Sequence, residues 1–101
     1  MALPIIPWEA HFDSNAPENF DITPCSLPSY LDRAAEQFGK RKAVVFENMS
    51  MTYAQLQDKA EQFAATLREH GLENGDRVAI MLPNLPQTII AFWGALKAGA
   101  V

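Results

Sequence analysis

Hydrophobic positions along the chain change their spacing several times, and each change marks an element. Leu27, Tyr30, Leu31, Ala34, Ala35 and Phe38 recur every three or four residues, which places them on one face of a helix. Ser26 stands at its N-cap position, Pro28 falls in its first turn and Gly39 follows as its stop. Residues 43–46, Ala-Val-Val-Phe, read as a short strand. Glu47, Asn48, Met49 and Ser50 read as the turn of a hairpin whose return strand runs through Ser50 and Met51. Thr52 and Gln55 have the spacing of a capping box, so a second helix starts there. Leu56, Ala60, Phe63, Ala64 and Leu67 give it one apolar stripe, while Asp58, Lys59, Glu61, Arg68 and Glu69 lie mostly off that stripe. Gly71 is placed for a left-handed cap, with Leu72 packing back after it.

The period then disappears. Glu73, Asn74, Gly75 and Asp76 form a turn, and residues 78–82, Val-Ala-Ile-Met-Leu, are apolar without alternation. That is the pattern of a strand buried on both faces in a parallel sheet. Pro83 and Pro86 break the run and open a third helix to about Ala98, with Gly99 as its stop and Ala100 and Val101 as the first residues of a further strand. Residues 88–96 leave that helix almost no polar face, as expected of a helix covered on most sides. The order helix, hairpin, helix, strand, helix, incipient strand predicts an α/β fold with right-handed crossovers that stops in mid-unit. Such a chain reads as a truncated first subdomain of a larger parallel-sheet protein. Residues 1–25 hold Pro4, Pro7, Pro17 and Pro24 with Asn, Asp and Ser between them, which predicts an extended N-terminal arm ahead of a partial subdomain at 26–101. Trp8 and Phe12 are the aromatic anchors expected to pin that arm to a surface.

Composition bounds this picture without changing it. The 101 residues are 49% hydrophobic and 20% charged, so the chain is of globular type and large enough for one modest core. A net charge of −4, with Lys40, Arg41 and Lys42 the single basic cluster, gives no electrostatic footprint for nucleic acid. One cysteine, Cys25, allows no internal disulfide and fits a reducing cytoplasm. The N-terminal residues lack the basic leader and apolar stretch of a signal peptide, and the apolar run at 89–96 is too short to cross a bilayer.

The candidate chemistry resolves into structural roles. Gly94 and Gly99 have the spacing of a phosphate-cradling loop, but Ala100 and Val101 stand where that motif needs Lys and Ser or Thr. The stretch also closes a helix, where carbonyls and not amides are presented. His70 falls in a helix's last turn, where positive charge suits the dipole. His11 has no nucleophile or carboxylate patterned around it, and Asp13, Asp21, Asp32 and Asp76 lack ligand spacing. Cys25, near a helix start, reads as a silent small residue, and Phe92 and Trp93 read as core before they read as the wall of an acyl tunnel. No catalytic, cofactor-binding or metal-binding residue is therefore expected among these 101.

Residues 51–56, Met-Thr-Tyr-Ala-Gln-Leu, and 96–100, Leu-Lys-Ala-Gly-Ala, are similar to the first two conserved motifs of the adenylate-forming enzymes. Between them, Gly75-Asp76-Arg77-Val78-Ala79 and Leu82-Pro83-Asn84 match further stretches of that superfamily in the same order. The resemblance covers about residues 26–101. With Trp8, Asn15 and Pro17 in the arm it looks most like the bacterial long-chain fatty acid–CoA ligases, although luciferases, coumarate ligases and peptide-synthetase adenylation domains share the motifs. It implies an AMP-forming parent that joins a carboxylate to AMP with loss of pyrophosphate and then passes the acyl group to the thiol of coenzyme A. It further implies ATP, magnesium and coenzyme A for the parent and none of them for this part, which by itself is expected to be inactive. The partners expected are the remainder of the parent and, for the isolated chain, a second copy of itself. The location expected is cytoplasmic, with peripheral contact at the inner face of the membrane left open. A stand-alone interaction module and an adenylation domain that loads a carrier protein are the two rival readings.

Overall fold

In the computed structural model, which describes residues 7–15 and 22–101, the first regular element after the arm is α1, Leu27–Phe38. Its cap works differently from the expected serine side-chain cap. Ser26 makes no side-chain cap bond; its carbonyl instead accepts from both the amide of Ser29, at 3.1 Å, and the Ser29 hydroxyl. Pro28 in the first turn needs no acceptor for an amide it lacks. Gly39 ends the helix, but with φ −49° and ψ −34° it makes no left-handed turn. Its missing side chain matters for space: a Cβ there would lie 2.6 Å from the Ala35 carbonyl oxygen. The Gly39 carbonyl is thereby free to accept the amide of Ala54 at 3.1 Å.

Two short strands follow, β1 at Lys42–Phe46 and β2 at Met49–Thr52, paired antiparallel with Phe46 opposite Met49. The connecting loop is tighter than the expected four-residue turn, only Glu47 and Asn48, and Glu47 takes φ 50° to close it. Val44 and Met51 sit opposite each other and are both buried, while the next pair, Val45 and Ser50, faces out. This is the period-two alternation of a one-faced sheet. An irregularity between Lys42 and Val44 shifts the register before the chain enters α2.

α2, Tyr53–Glu69, begins with the predicted capping box: the Thr52 hydroxyl accepts from the Gln55 amide at 3.2 Å and the Gln55 side chain accepts from the Thr52 amide at 2.9 Å. Both helices α2 and α3, Pro86–Lys97, then end in the same way. Leu72 donates to the Leu67 carbonyl and Gly71 to Arg68; Ala100 donates to Ala95 and Gly99 to Leu96, all at 3.0 to 3.1 Å. These are paired Schellman closures, and Gly71 (φ 94°) and Gly99 (φ 90°) occupy the left-handed position each requires. The placement of both glycines agrees with the sequence reading.

The core lies where the inner face of the hairpin meets the helices. Leu31 of α1, Val44 and Met51 of the strands, and Leu56 and Ala60 of α2 form it, with Ile90 and Trp93 of α3 packed against it. α2 and α3 approach at Gly94, where an added Cβ would meet the Phe63 ring at 2.7 Å and the Ala60 carbonyl oxygen at 2.9 Å. Ala60, Ala64 and Ala95 keep the rest of this seam narrow.

Further expectations are corrected. Residues 78–82 carry no strand assignment, and Met81 is 95% exposed. A strand exists through its ladder, and here only the first rung is made: Val101 donates to Asp76 at 2.8 Å and Val78 donates to Val101 at 2.9 Å. The third helix is also less covered than its composition implies, since Ile89 and Phe92 reach solvent. In the arm, Pro7–His11 winds into a short 3-10 helix where an extended chain was expected, and Trp8 and Phe12, the expected anchors, are exposed. Phe20 lies outside the described residues. Among those described, no helix is long and apolar enough to cross a membrane.

The two kinds of glycine should respond differently to substitution. Nothing lies within 4 Å of a Cβ at Gly71, so Gly71→Val should cost about 1–2 kcal/mol through backbone strain alone. Gly94→Ala should cost about 1–3 kcal/mol through overpacking. In denaturant melts, Phe63→Leu should lessen the cost of Gly94→Ala and leave that of Gly71→Val unchanged; equal costs in both backgrounds would mean that the ring does not set the seam.

Candidate functional site

Four charged side chains gather at the end of the molecule where α2 and α3 terminate beside the start of α1. An open cleft of ≈ 600 Å³ there is lined by Ser26, Asp32, Glu61, Arg68 and Lys97 among others. Lys97 is the single charged residue of the otherwise apolar α3, and its side chain is only 10% exposed. Its ammonium is paired with Asp32 of α1 and lies 3.8 Å from Glu61 of α2. Its backbone carbonyl, one of the orphan acceptors of a helix end, accepts from Arg68 Nη2 of α2 at 2.6 Å. Gln57 of α2 donates to the same Asp32 carboxylate at 3.0 Å. The Lys97 ammonium and the Gln57 amide hold the Asp32 carboxyl below its usual range. Lys97 thus serves both carboxylates and the Arg68 guanidinium is held by a backbone carbonyl, so the arrangement fastens three helices together.

The residues singled out from the sequence are dispersed. Cys25 is exposed just ahead of α1, and the Tyr30 and Ser29 hydroxyls beside its thiol, with the charge of Arg33, hold it below its ordinary pKa. His70 caps α2, with Nδ1 2.8 Å from the Thr66 carbonyl, and His11 ends the short 3-10 helix of the arm. Asp76 accepts from the Glu73 amide at 2.8 Å and so closes a turn; Asp13 is exposed, and Asp21 lies outside the described residues. Arg41 sits over the Phe38 ring at 5.0 Å, and the basic triplet is otherwise solvated. Phe92 and Trp93 meet edge to face at 5.5 Å, Trp93 on the core and Phe92 in solvent. Among the described residues, no group of three His, Cys, Asp or Glu side chains converges in a way that could hold a metal ion. The Gly94 to Gly99 stretch spends the amides of Gly99 and Ala100 on its own helix carbonyls, so it cannot cradle a phosphate.

The Asp32–Lys97 pair escaped the sequence reading because its partners are 65 residues apart. The signal available was a lone lysine on an apolar helix, a position that calls for a counter-charge. Two apolar grooves flank Ile89, one of ≈ 260 Å³ against Val45 and Phe46 and one of ≈ 220 Å³ against Tyr30 and Tyr53.

Comparison with known proteins places these features. Residues 31–101 match the family of AMP-binding enzymes. A long-chain-fatty-acid–CoA ligase of Bacillus subtilis is 37% identical over 95 residues, 94% of this chain and 17% of that protein. Bacitracin synthase 3 of Bacillus licheniformis is 42% identical over 79 residues, 78% of this chain and 1% of that protein. The N-terminal subdomain of Klebsiella oxytoca NpsA in complex with anthranilyl-AMSN superposes with a TM-score of 0.73 at 32% identity, covering 75% of this chain and 20% of that one. The chain thus spans about a sixth of the fatty acid ligase and a fifth of the NpsA subdomain.

Because the Asp32 pKa is lowered on folding, the unfolded state binds the proton more readily. The stabilisation is present above the unfolded value near 4 and is lost as pH falls through the folded value. Asp32 is half exposed, so Asp32→Asn should cost no more than about 1 kcal/mol at neutral pH. Urea melts at a series of pH values should show that cost shrinking as pH falls below the unfolded value near 4; a cost independent of pH would show that packing and not charge carries it.

Proposed function

Since the chain belongs to the family of AMP-binding enzymes, we propose that it is the structural N-terminal part of an ATP-dependent acyl-CoA ligase that activates a fatty acid as acyl-adenylate and transfers it to coenzyme A. The observation that carries the fatty acid assignment is the extent of the B. subtilis match. It covers 94% of this chain, and so takes in most of the proline-rich N-terminal region as well as the folded part. The match to bacitracin synthase 3 is shorter.

Within that enzyme these residues act as scaffold. Lys97 is engaged by Asp32 and Glu61, and the glycine turns at Gly71 and Gly99 present carbonyls that accept from their own chain. They do not fit a nucleotide phosphate, a magnesium ion or coenzyme A, which other parts of the parent would hold. What the scaffold supplies is placement: α2 and α3 pack through Gly94, and the turn after α3 delivers Val101 beside Asp76 and Val78.

A second reading, an adenylation domain that loads a carrier protein, is favoured by the higher identity to bacitracin synthase 3 over the part it does match. ATP–pyrophosphate exchange by the full-length parent with a panel of carboxylic acids, followed by transfer to coenzyme A or to a carrier protein, separates the two. Exchange should be strongest with long-chain fatty acids and transfer should go to coenzyme A. Exchange restricted to amino or aryl acids, with transfer to a carrier alone, would replace this assignment by the second. Calorimetric titration of the 101-residue chain with ATP should show no saturable binding, and a single well-defined site would overturn the scaffold role.

A further inference from the structure

The chain has a single Asn-Gly pair, Asn74-Gly75, and both residues are exposed. They form the centre of a turn that the Asp76 amide closes by donating to the Glu73 carbonyl at 3.1 Å. Gly75 takes φ 89° while Asn74 stays out of the left-handed region, which makes this a type II turn. Two groups in it can react with each other. The main-chain nitrogen of Gly75 has no adjacent Cβ to hinder it, and attack on the Asn74 side-chain amide carbon would close a succinimide ring.

Gly99 holds both of these groups. The Gly75 amide donates to the Gly99 carbonyl at 2.8 Å. The Asn74 side-chain amide lies against the open face of Gly99, with Cγ 3.3 Å from where a Cβ would stand. The turn is clamped once more by the Glu73 amide, which donates to Asp76 Oδ2 at 2.8 Å. A nitrogen engaged as a donor must release that bond before it can lose its proton and turn to Cγ.

We propose that Asn74 is a site of spontaneous deamidation and isoaspartate formation, and that its contact with Gly99 is the latch that holds the reaction off in the folded chain. Once the latch opens, hydroxide takes the Gly75 amide proton, the nitrogen bonds to Asn74 Cγ, and the side-chain nitrogen leaves as ammonia after taking a proton from water. Water then opens the succinimide. Cleavage between the Gly75 nitrogen and Cγ leaves aspartate. Cleavage between that nitrogen and the main-chain carbonyl carbon of residue 74 leaves isoaspartate, with the chain running through Cγ. Either product sets a new negative charge between Glu73 and Asp76. Isoaspartate also inserts an extra carbon into the main chain ahead of Gly75, so the turn no longer carries the Gly75 amide to Gly99. The latch is then lost for good, and the rung that Val101 makes with Asp76 and Val78 loses its neighbour.

The test holds the 101-residue chain at mildly alkaline pH, folded and in urea. Asn74 is followed by peptide mass mapping and by methylation with an isoaspartate-specific carboxyl methyltransferase. Conversion should be roughly 10-fold or more slower in the folded chain than in urea, because only the opened fraction reacts. Gly99→Ala puts a methyl group where the Asn74 side chain lies, and Val101→Pro removes the amide that donates to Asp76. Each should bring the folded rate toward the rate in urea. Circular dichroism shows whether a variant is folded; if Gly99→Ala is not, Val101→Pro, a change confined to the last residue, decides. An Asn74 that fails to react in urea would overturn the modification site. Equal rates in the two conditions, or a folded variant that converts no faster than the unsubstituted chain, would overturn the latch. The isoaspartyl product should exchange its Val78 amide faster than the unmodified chain, and equal exchange would sink the link to the rung.

Discussion

The close approach of α2 and α3 at Gly94 is the constraint on which the rest of the fold depends. With the Phe63 ring and the Ala60 carbonyl both within 3 Å of where a side chain would begin, the helices meet with no room for a side chain at Gly94. Interiors pack at crystal-like density, so a seam this narrow leaves little freedom for the elements on either side. Trp93, one residue before Gly94, is thereby pressed toward the core of Leu31, Val44, Met51, Leu56 and Ala60, and Ile90 joins it one turn earlier. The hairpin needs this support, because two strands alone bury too little to be stable in water.

The same seam fixes what happens at the helix ends. With α3 held on α2, Lys97 reaches Asp32 and Glu61, and its carbonyl meets Arg68. A half-exposed pair of this kind contributes little energy by itself. Its effect is geometric, because it ties the last turn of α3 to both other helices immediately before the chain turns at Gly99. That turn has no room for a side chain, since Asn74 stands against the position a Cβ would occupy. The chain therefore leaves α3 along one course, and Val101 arrives in hydrogen-bonding register with Asp76 and Val78.

Local signals were the legible part of this structure. The capping box of Thr52 and Gln55 and the stop glycines Gly71 and Gly99 all depend on contacts within a few residues, and each formed as the spacing demanded. The hairpin was legible in its position but not in its turn, because a two-residue loop needs a positive φ and Glu47 does not advertise one. Gly39 looked like a left-handed stop and is a point of close approach, a distinction decided by the Ala35 carbonyl and by Ala54 across the turn. The strand at residues 78–82 was legible as a strand that needs neighbours, and here it has no ladder beyond the one rung at Val78. The long-range features, Gly94 against Phe63 and Lys97 against Asp32, depend on residues 31 and 65 positions apart, a distance over which sequence spacing carries no geometric information.

The polarity of the elements decides where the charges of this cleft gather. α2 and α3 both terminate in glycine turns and both turns lead toward the beginnings of extended segments, at Asp76 and at Val101. The cluster of Asp32, Glu61, Arg68 and Lys97 thus sits at the amino-terminal edge of the incipient parallel sheet. In open α/β sheets ligands bind beyond the carboxyl ends of the strands, where loops run into helix N-termini and backbone amides are free. Here that opposite edge begins at Leu82 and Pro83 and runs into Pro86 at the start of α3, and its polar groups are few: the Thr88 hydroxyl is already turned back to the Pro83 carbonyl at 2.6 Å. The charged cluster and the start of α3 thus lie at opposite ends of α3.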